Sequence, residues 1–486
     1  MIIKSKKEDI ASYLEDTSNL KGSASKLYIP SDKQELIELT KELNGEKAPF
    51  TVVSGRTGTT GGCVCLGGAL ISLENLTKII DIDKEKKTAR IEAGLSLESL
   101  RNETKKFNLH LAATPTEPLA FIGGAISTCA SGVRGFGCGS IRSYVKSISI
   151  VLAAGQDLKI NRGQYFAKKR EFDFFLSDRH FNFSLPSYNM PDVKSQAGYC
   201  VHDNMDLIDL FIGSEGTLGV ITDCQVALSD ISPYLFDGLV FFLKEDDALG
   251  FIDTVKDLKN KDKLNPVSLE FFDAFALELL RGEYSFVPKA QAAVYFEQEA
   301  LSSREFDLLL SKWADLIETH RGLFDKSIIA DTEQLRRRIF DFRHALPQKI
   351  NEILRQSRQV KAAADISVPK ESFRKMYEFY KVKAKESGLN YLNFGHIGES
   401  HLHFNFLPKN DSESSKAKDY LKLFCEKAVS LGGTVSAEHG IGKVKKPYLK
   451  LMYSEDEIKQ MAALKKYFDP NCLLGLDNIF DKEYLL

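Results

Sequence analysis

The 486-residue chain is short of several things, and each shortage closes a class of function. It has no excess of charge: 65 Lys and Arg stand against 67 Asp and Glu, for a formal charge of −2. Its basic clusters, Lys168-Lys169-Arg170, Arg336-Arg337-Arg338 and Lys445-Lys446, are brief and set among acids. A nucleic-acid surface needs a sustained basic field, so no nucleic-acid partner is expected. No uninterrupted apolar run reaches about 18 residues, and MIIKSKKEDIASYLED has no apolar stretch of the secretory kind. The expectation is a cytoplasmic protein without a transmembrane segment, with peripheral contact to the inner membrane left open. The eight cysteines form no Cys-x-x-Cys pair, which argues against a disulfide framework, an iron–sulfur cluster and structural zinc. Histidine is also scarce, at nine residues, yet three of the nine, His396, His401 and His403, fall within eight positions.

Apolar bulk is not lacking. Hydrophobic residues make up 43% of the chain, and the length asks for two or three domains. From residue 26 to about 228, strand-like runs (TVVSG, ALISL, TARIEAG, SISIVLAAG, TLGVITDCQVAL) alternate with helix-like ones (DKQELIELTKELNG, SLESLRNETKKF), which reads as an α+β domain over 1–229. Residues 161–194, aromatic and charged without clear period, read as a long excursion loop. Composition changes near Ser229-Asp230-Ile231-Ser232-Pro233. A second domain over 230–431 then combines helices at 303–318, 333–356 and 371–387 with strands FDGLVFF, AAVYFEQ and the pair YLNFGH/HLHFNFL. The segment 432–486 reads as loops with one helix around 455–468.

Three small-residue runs lie in the first domain. Ser54-Gly55-Arg56-Thr57-Gly58-Thr59-Thr60-Gly61-Gly62 follows a strand, and its glycines can turn several N–H groups towards one anion. It matches neither the P-loop nor the dinucleotide fingerprint. Ile122-Gly123-Gly124-Ala125-Ile126-Ser127-Thr128 runs on to Gly132, and Gly213-Ser214-Glu215-Gly216-Thr217-Leu218-Gly219 leads into a strand. Three such runs in one domain suggest close backbone approach to one long ligand.

In HLHFNFL the period of two puts His401, His403 and Asn405 on one strand face and Leu402, Phe404 and Phe406 on the other. His396 ends the preceding strand and should lie across from them. Neutral imidazoles so placed suit a divalent transition metal, while a polar edge strand with structural histidines is the competing reading. In Ala437-Glu438-His439-Gly440 adjacent side chains point apart, so Glu438 could complete a His-His-Glu site while His439 faces a substrate; a solvated loop pair is the alternative.

The order of these motifs resembles the vanillyl-alcohol-oxidase-type flavoproteins, and within them the FAD-linked D-2-hydroxyacid dehydrogenases that act on D-lactate, D-2-hydroxyglutarate or glycolate. The resemblance implies a two-subdomain FAD-binding domain of the PCMH type and an α+β cap domain on an antiparallel sheet. The C-terminal segment 432–486 would return to the FAD domain. It implies noncovalent FAD, with Ser54, Gly55, Arg56, Thr57, Gly58 and Thr59 at the pyrophosphate. Pro115, Thr116, Gly123, Gly124, Ser127, Thr128 and Gly132 would run along the rest of the cofactor, closed by Glu215, Gly216 and Ile221. The pattern GHxGxxxLHxN followed by AEHGIG implies His396, His403 and Glu438 as ligands of a divalent metal, zinc ahead of manganese, iron or cobalt. Asn405 lies nearby, and His439 is the base. Arg343 falls where the family binds the substrate carboxylate, although a place on the outside of the 333–356 helix is equally open to it; Lys361 is a further carboxylate candidate. The chain departs from the family at Arg56 (usually glycine), Cys129 (usually asparagine), Glu399 (usually aspartate), His401 (usually asparagine) and Phe340 (often tryptophan).

These parts imply oxidation of a small 2-hydroxy acid, D-lactate first and D-2-hydroxyglutarate or glycolate next. The metal would lower the hydroxyl pKa, His439 would take the proton and flavin N5 the hydride. A cytochrome, quinone or electron-transfer flavoprotein would take the electrons, NAD being unexpected without a second fingerprint, and a homodimer stays open. Readings of other kinds are a metal-dependent phosphoester hydrolase and a flavin-binding subunit without activity of its own.

Overall fold

The short strand-forming runs of the first domain collect into separate sheets in the computed structural model, which describes residues 1–176, 178–261 and 264–486. Two units emerge: one from 1–132, 140–230 and 434–486, the other from 133–139 and 231–433.

In the first unit Lys26–Ile29, Ala69–Ser72 and Phe50–Val53 pair in parallel, with Ile2–Lys4 added antiparallel at the edge. Parallel neighbours need a crossover. Part of it is the helix Lys33–Gly45, opened by Asp32, whose carboxylate accepts the Glu35 N–H, and packed through Leu36, Leu39 and Leu43. A five-stranded antiparallel sheet follows, in the order Ile79–Asp83, Thr88–Glu92, Val220–Ala227, Val145–Val151, Asp157–Asn161. Its central strand starts directly after the third glycine run.

Residues 161–194 are not the long loop that the sequence reading expects. Glu171–Leu176 and Arg179–Ser184 form an antiparallel hairpin in which Phe172 faces Phe183 and Phe174 faces Phe181. The alternation E-F-D-F and R-H-F-N-F has a period of two, and that period wins over the charge content. The inward rings stack at 5.1 and 5.2 Å, and Phe183 meets Phe468 at 5.2 Å. The C-terminal segment likewise holds two helices where one is expected. Lys446–Met452 starts on a proline in its first turn, and Glu455–Phe468 starts on a capping box of Ser454 and Glu457.

The second unit is built on a seven-stranded antiparallel sheet. Its order is Ile328–Ala330, Tyr234–Phe242, Ala292–Ala300, Ser268–Asp273, Tyr391–Gly395, His401–Phe406, Ala362–Ser367. Helices cover both faces. On one, Ile339, Phe342 and Leu346 of the helix Glu333–Gln356 join Leu277 and Leu280 against Phe272 and Phe394. On the other, Trp313 stacks on Phe296 and Phe424 packs on Phe404. Consequently the strand His401–Phe406 is buried on both sides, and His401 and Asn405 are as enclosed as Leu402 and Phe404. No helix among the described residues is long and apolar enough to cross a membrane.

Candidate functional site

The three small-residue runs of the first unit meet, because each contact between them leaves no room for a side chain. A Cβ on Gly55 would stand 2.8 Å from the Leu119 carbonyl oxygen, and one on Gly124 would stand 2.5 Å from Ser54 Oγ. The second run joins the third through Glu215 N–H to the Ser127 carbonyl, 2.7 Å, and Gly213 N–H to the Ile126 carbonyl, 3.0 Å. Gly132 lies against the segment of Pro115 and Thr116, where a Cβ would be 2.2 Å from the Thr114 carbonyl. Ser127 and Thr128 turn their hydroxyls back onto the carbonyls of Gly123 and Gly124. Ile221 sits in the central strand, paired with Ile150.

Residues 55–60 have a feature that bears on a ligand. Among the described residues, none of their backbone N–H groups donates to another group of the chain, while most of the loop is half-buried. Consecutive unpaired N–H groups in a partly enclosed turn form an anion-binding nest, so these residues fit a pyrophosphate. The two departures from the expected pattern have a common backbone. Arg56 holds φ at +57° and Cys129 at +49°, conformations in which glycine and asparagine are at ease and other residues are strained. Arg56 offsets part of that by lying 4.7 Å over the Tyr13 ring.

Glu215 and Gly216 close the cradle indirectly. The Glu215 carboxylate accepts the N–H groups of Ile441 and Gly442 at 2.7 and 2.6 Å, and its backbone carbonyl accepts from Asn478 Nδ2 at 3.0 Å. Burial pushes the Glu215 carboxyl up to about 7 although the two N–H groups pull it down. The turn so fixed carries Glu438 and His439. Glu438 Oε2 accepts from Ser131 Oγ at 2.9 Å and from Lys194 at 2.6 Å, and the His439 carbonyl accepts from Thr60 Oγ1. His439 keeps 27% of its side chain exposed, enough to meet a small molecule.

In the second unit the histidines come together as the hairpin predicts. Ring centroids lie 5.3 Å apart for His396 and His401, 5.2 Å for His396 and His403, and 4.7 Å for His401 and His403. Gly395, at φ +117°, lets the chain pass the His403 ring; a Cβ there would be 2.9 Å from His403 Cδ2. Ser400, in the left-handed region, finishes the turn and accepts from Lys256 Nζ at 2.7 Å.

Two buried acids hold these rings. His396 Nδ1 lies 2.9 Å from Glu270 Oε1, and His401 Nε2 lies 2.7 Å from Asp365 Oδ1. A carboxylate on one ring nitrogen fixes the tautomer and makes the other nitrogen a better metal ligand. Asn405 Nδ2 donates to the His403 carbonyl, while its buried Oδ1 has no hydrogen-bond partner among the described residues. Nitrogen and carboxylate donors, and an orphaned acceptor beside them, fit a zinc-type divalent ion.

Arg343 is 5% exposed, so it is not an outer helix residue. Its Nε and Nη2 hold Glu270 in a fork at 2.8 and 3.0 Å. Burial alone would raise Glu270, but Arg343 and His396 overcome it and hold the carboxyl well below the usual range. Lys361 is half-buried and precedes the strand of Asp365, on the same face by parity. Sequence reasoning passed over Glu270, Asp365, Lys194 and Ser131. Glu270 left one sign, an acid flanked by Leu269 and Phe271 in the strand SLEFFD; Lys194 and Ser131 left none, because their partner is more than 200 residues away.

Residues 24–161 match the family described as FAD binding domain, and residues 238–476 match FAD linked oxidases, C-terminal domain. The chain is 26% identical to a D-lactate dehydrogenase of Anaerostipes hadrus, over 91% of this chain and 86% of that one. It is 27% identical to the glycolate oxidase subunit GlcD of Bacillus subtilis (strain 168), over 93% and 88%. A D-2-hydroxyglutarate dehydrogenase of Xanthomonas citri pv. viticola is 25% identical, over 93% and 88%. Among solved structures, the 4-ethylphenol oxidase from Gulosibacter chungangensis superposes with a TM-score of 0.71 at 15% identity, covering 99% of this chain and 95% of that one. That likeness shows a shared fold of the vanillyl-alcohol-oxidase kind, mixed α and β.

Proposed function

We propose a substrate and a division of labour for this chain, which belongs to the FAD-linked oxidases and is an FAD-dependent oxidoreductase of the D-2-hydroxyacid dehydrogenase type. The substrate is a small D-2-hydroxy acid, D-lactate first, oxidised to the 2-oxo acid. What carries the reading is the buried cluster in which Glu270 and Asp365 orient His396 and His401 beside His403. An apolar core gains nothing from five such groups, whereas a hydroxyl that must lose a proton does.

Bound FAD supplies a hydride acceptor, and a divalent ion lowers the pKa of the substrate hydroxyl. In this reading His396 and His403 are ligands of the ion. His439 takes the proton from the hydroxyl oxygen, and the partly exposed ring can pass it to water. Arg343 and Lys361 receive the carboxylate. Because Glu270 already balances Arg343, Lys361 bears the larger share of that charge. Asn405 presents its Oδ1 acceptor on the same strand face as His403.

FAD is held without a covalent bond. Burial, with Asp16 adding to it, pushes the Cys63 thiol up to about 12, and burial raises Cys65 as well, so neither is a nucleophilic thiolate at neutral pH. The electrons leave to a cytochrome, a quinone or an electron-transfer flavoprotein in the cytoplasm or at its membrane face. The test is direct: yellow purified protein should release FAD on denaturation and reduce an artificial dye with D-lactate. Colourless protein without FAD, or dye reduction by none of D-lactate, D-2-hydroxyglutarate and glycolate, overturns the proposal.

A further inference from the structure

The ligand set proposed above leaves His401 unused, and the geometry around it is hard to reconcile with a structural filler. His401 is fully buried and Asp365 is 2% exposed. Burying an acid and an imidazole together costs several kcal/mol unless every polar atom is well met. His401 and His403 are two apart on one strand, so their rings share a face. Asp365 lies opposite His403 on the neighbouring strand and reaches diagonally to His401, at 2.7 Å from its Nε2. One donor atom each from Asp365, His401 and His403 lies within 4.8 Å of the other two, all on the same sheet face. His396 adds a third ring 5.3 Å from His401. Three imidazoles this close, backed by two carboxylates, gather nitrogen and oxygen donors of the kind that a borderline divalent ion takes, within the distance that one ion spans.

We propose that His401 is itself a ligand of the divalent ion, and that Asp365 is its positioning residue, fixing the ring by its carboxylate. The inference rests on the metal site of the proposed function and extends it: three imidazoles, His396, His401 and His403, contribute to the centre instead of two. A third imidazole raises affinity for borderline ions such as zinc and cobalt over magnesium or calcium, so the centre should select the former.

The experiment reads metal directly. The FAD-loaded protein is stripped with chelator and titrated with Zn²⁺ and Co²⁺ against a chromophoric competitor, for the wild type, His401→Asn, Asp365→Asn and His403→Ala. His401→Asn should weaken Zn²⁺ by on the order of 100-fold and change the visible Co²⁺ spectrum. Asp365→Asn should weaken it by roughly 10-fold, as loss of a partner behind a ligand does. Unchanged Zn²⁺ affinity and Co²⁺ spectrum in His401→Asn, with binding lost in His403→Ala, would overturn the role of His401 and leave the proposed centre standing. Wild-type protein that binds no Zn²⁺, or His403→Ala that binds like wild type, would overturn the centre itself and this inference with it. X-ray absorption of zinc-loaded wild type needs no variant to fold: three imidazoles support the proposal and two contradict it.

Discussion

Between Gly55 and Thr60 a ligand would meet main-chain N–H groups, whereas between Asp365 and His403 it would meet imidazoles and carboxylates. The first arrangement needs an absence of side chains: Gly55, Gly124 and Gly132 stand where a Cβ would strike a neighbour. The second needs an excess of side chains, and each is held by another, Arg343 by Glu270 and His401 by Asp365. A backbone cradle should therefore fail when something is added. A side-chain cluster should fail when something is removed.

The comparison breaks most visibly at the chemistry. His439→Ala should keep bound FAD, since its backbone carbonyl and not its ring meets Thr60, yet lose about 10²- to 10⁴-fold in the rate of flavin reduction. Normal reduction by that variant, followed by stopped-flow absorbance, removes His439 from the base role.

Next is the buried fork. Glu270→Ala removes the carboxylate that the buried Arg343 forks, and should cost about 3–5 kcal/mol in denaturant unfolding of the second unit. A loss under about 1 kcal/mol would mean that water reaches Arg343 and that the cluster is less closed than its geometry says.

A pH effect separates the two regions further. Glu215 titrates near 4.5 as a free carboxyl and at about 7 when buried. The fold favours its protonated form, so that stabilisation is complete below about pH 4.5 and is lost as pH rises through 7, about 3 kcal/mol in all. Glu215→Gln should flatten this slope, which chemical denaturation at pH 5 and pH 8 would show; equal slopes in both proteins would contradict it.

Adding one methyl probes the cradle. In Gly132→Ala the new Cβ meets the Thr114 carbonyl, backbone that cannot swing aside, and the shift should cost about 1–3 kcal/mol and lower FAD occupancy. Folding of the second unit should be unaffected, and a parallel loss of its stability would show that the strain does not stay in the cradle. The smallest effect is at Arg56→Gly. Relief at φ +57° and loss of the Tyr13 contact should nearly cancel, within about 1 kcal/mol.

Sequence reading reached the local features because they are periodic or compositional. The helix at 333–356 has the same bounds in the structure, and the alternation in HLHFNFL correctly gives the shared face of the three ring-bearing and amide positions. It missed the hairpin at 171–184 because charged residues on the outer face hid the period of the phenylalanines. It saw nothing of the short helix Ile122–Ser127, whose glycines carry no helical signal. The partners of the site residues were out of reach for another reason. Glu270 is 73 positions from Arg343, and Lys194 is 244 from Glu438, and such pairings are set by strand order and loop closure rather than by neighbours in the chain. Arg343 thus read as either a substrate group or a surface residue, and its fork on Glu270 appeared only once the sheet was assembled.

The central claim, that this chain passes a hydride from a D-2-hydroxy acid to FAD, is tested most directly by anaerobic mixing of the holoprotein with matched D- and L-2-hydroxy acids while the flavin absorbance is followed. The account predicts rapid bleaching by D-lactate, or by another D-2-hydroxy acid or glycolate, and none by L-lactate. A flavin that stays oxidised with every one of these acids, in protein shown to hold FAD and zinc, would contradict it.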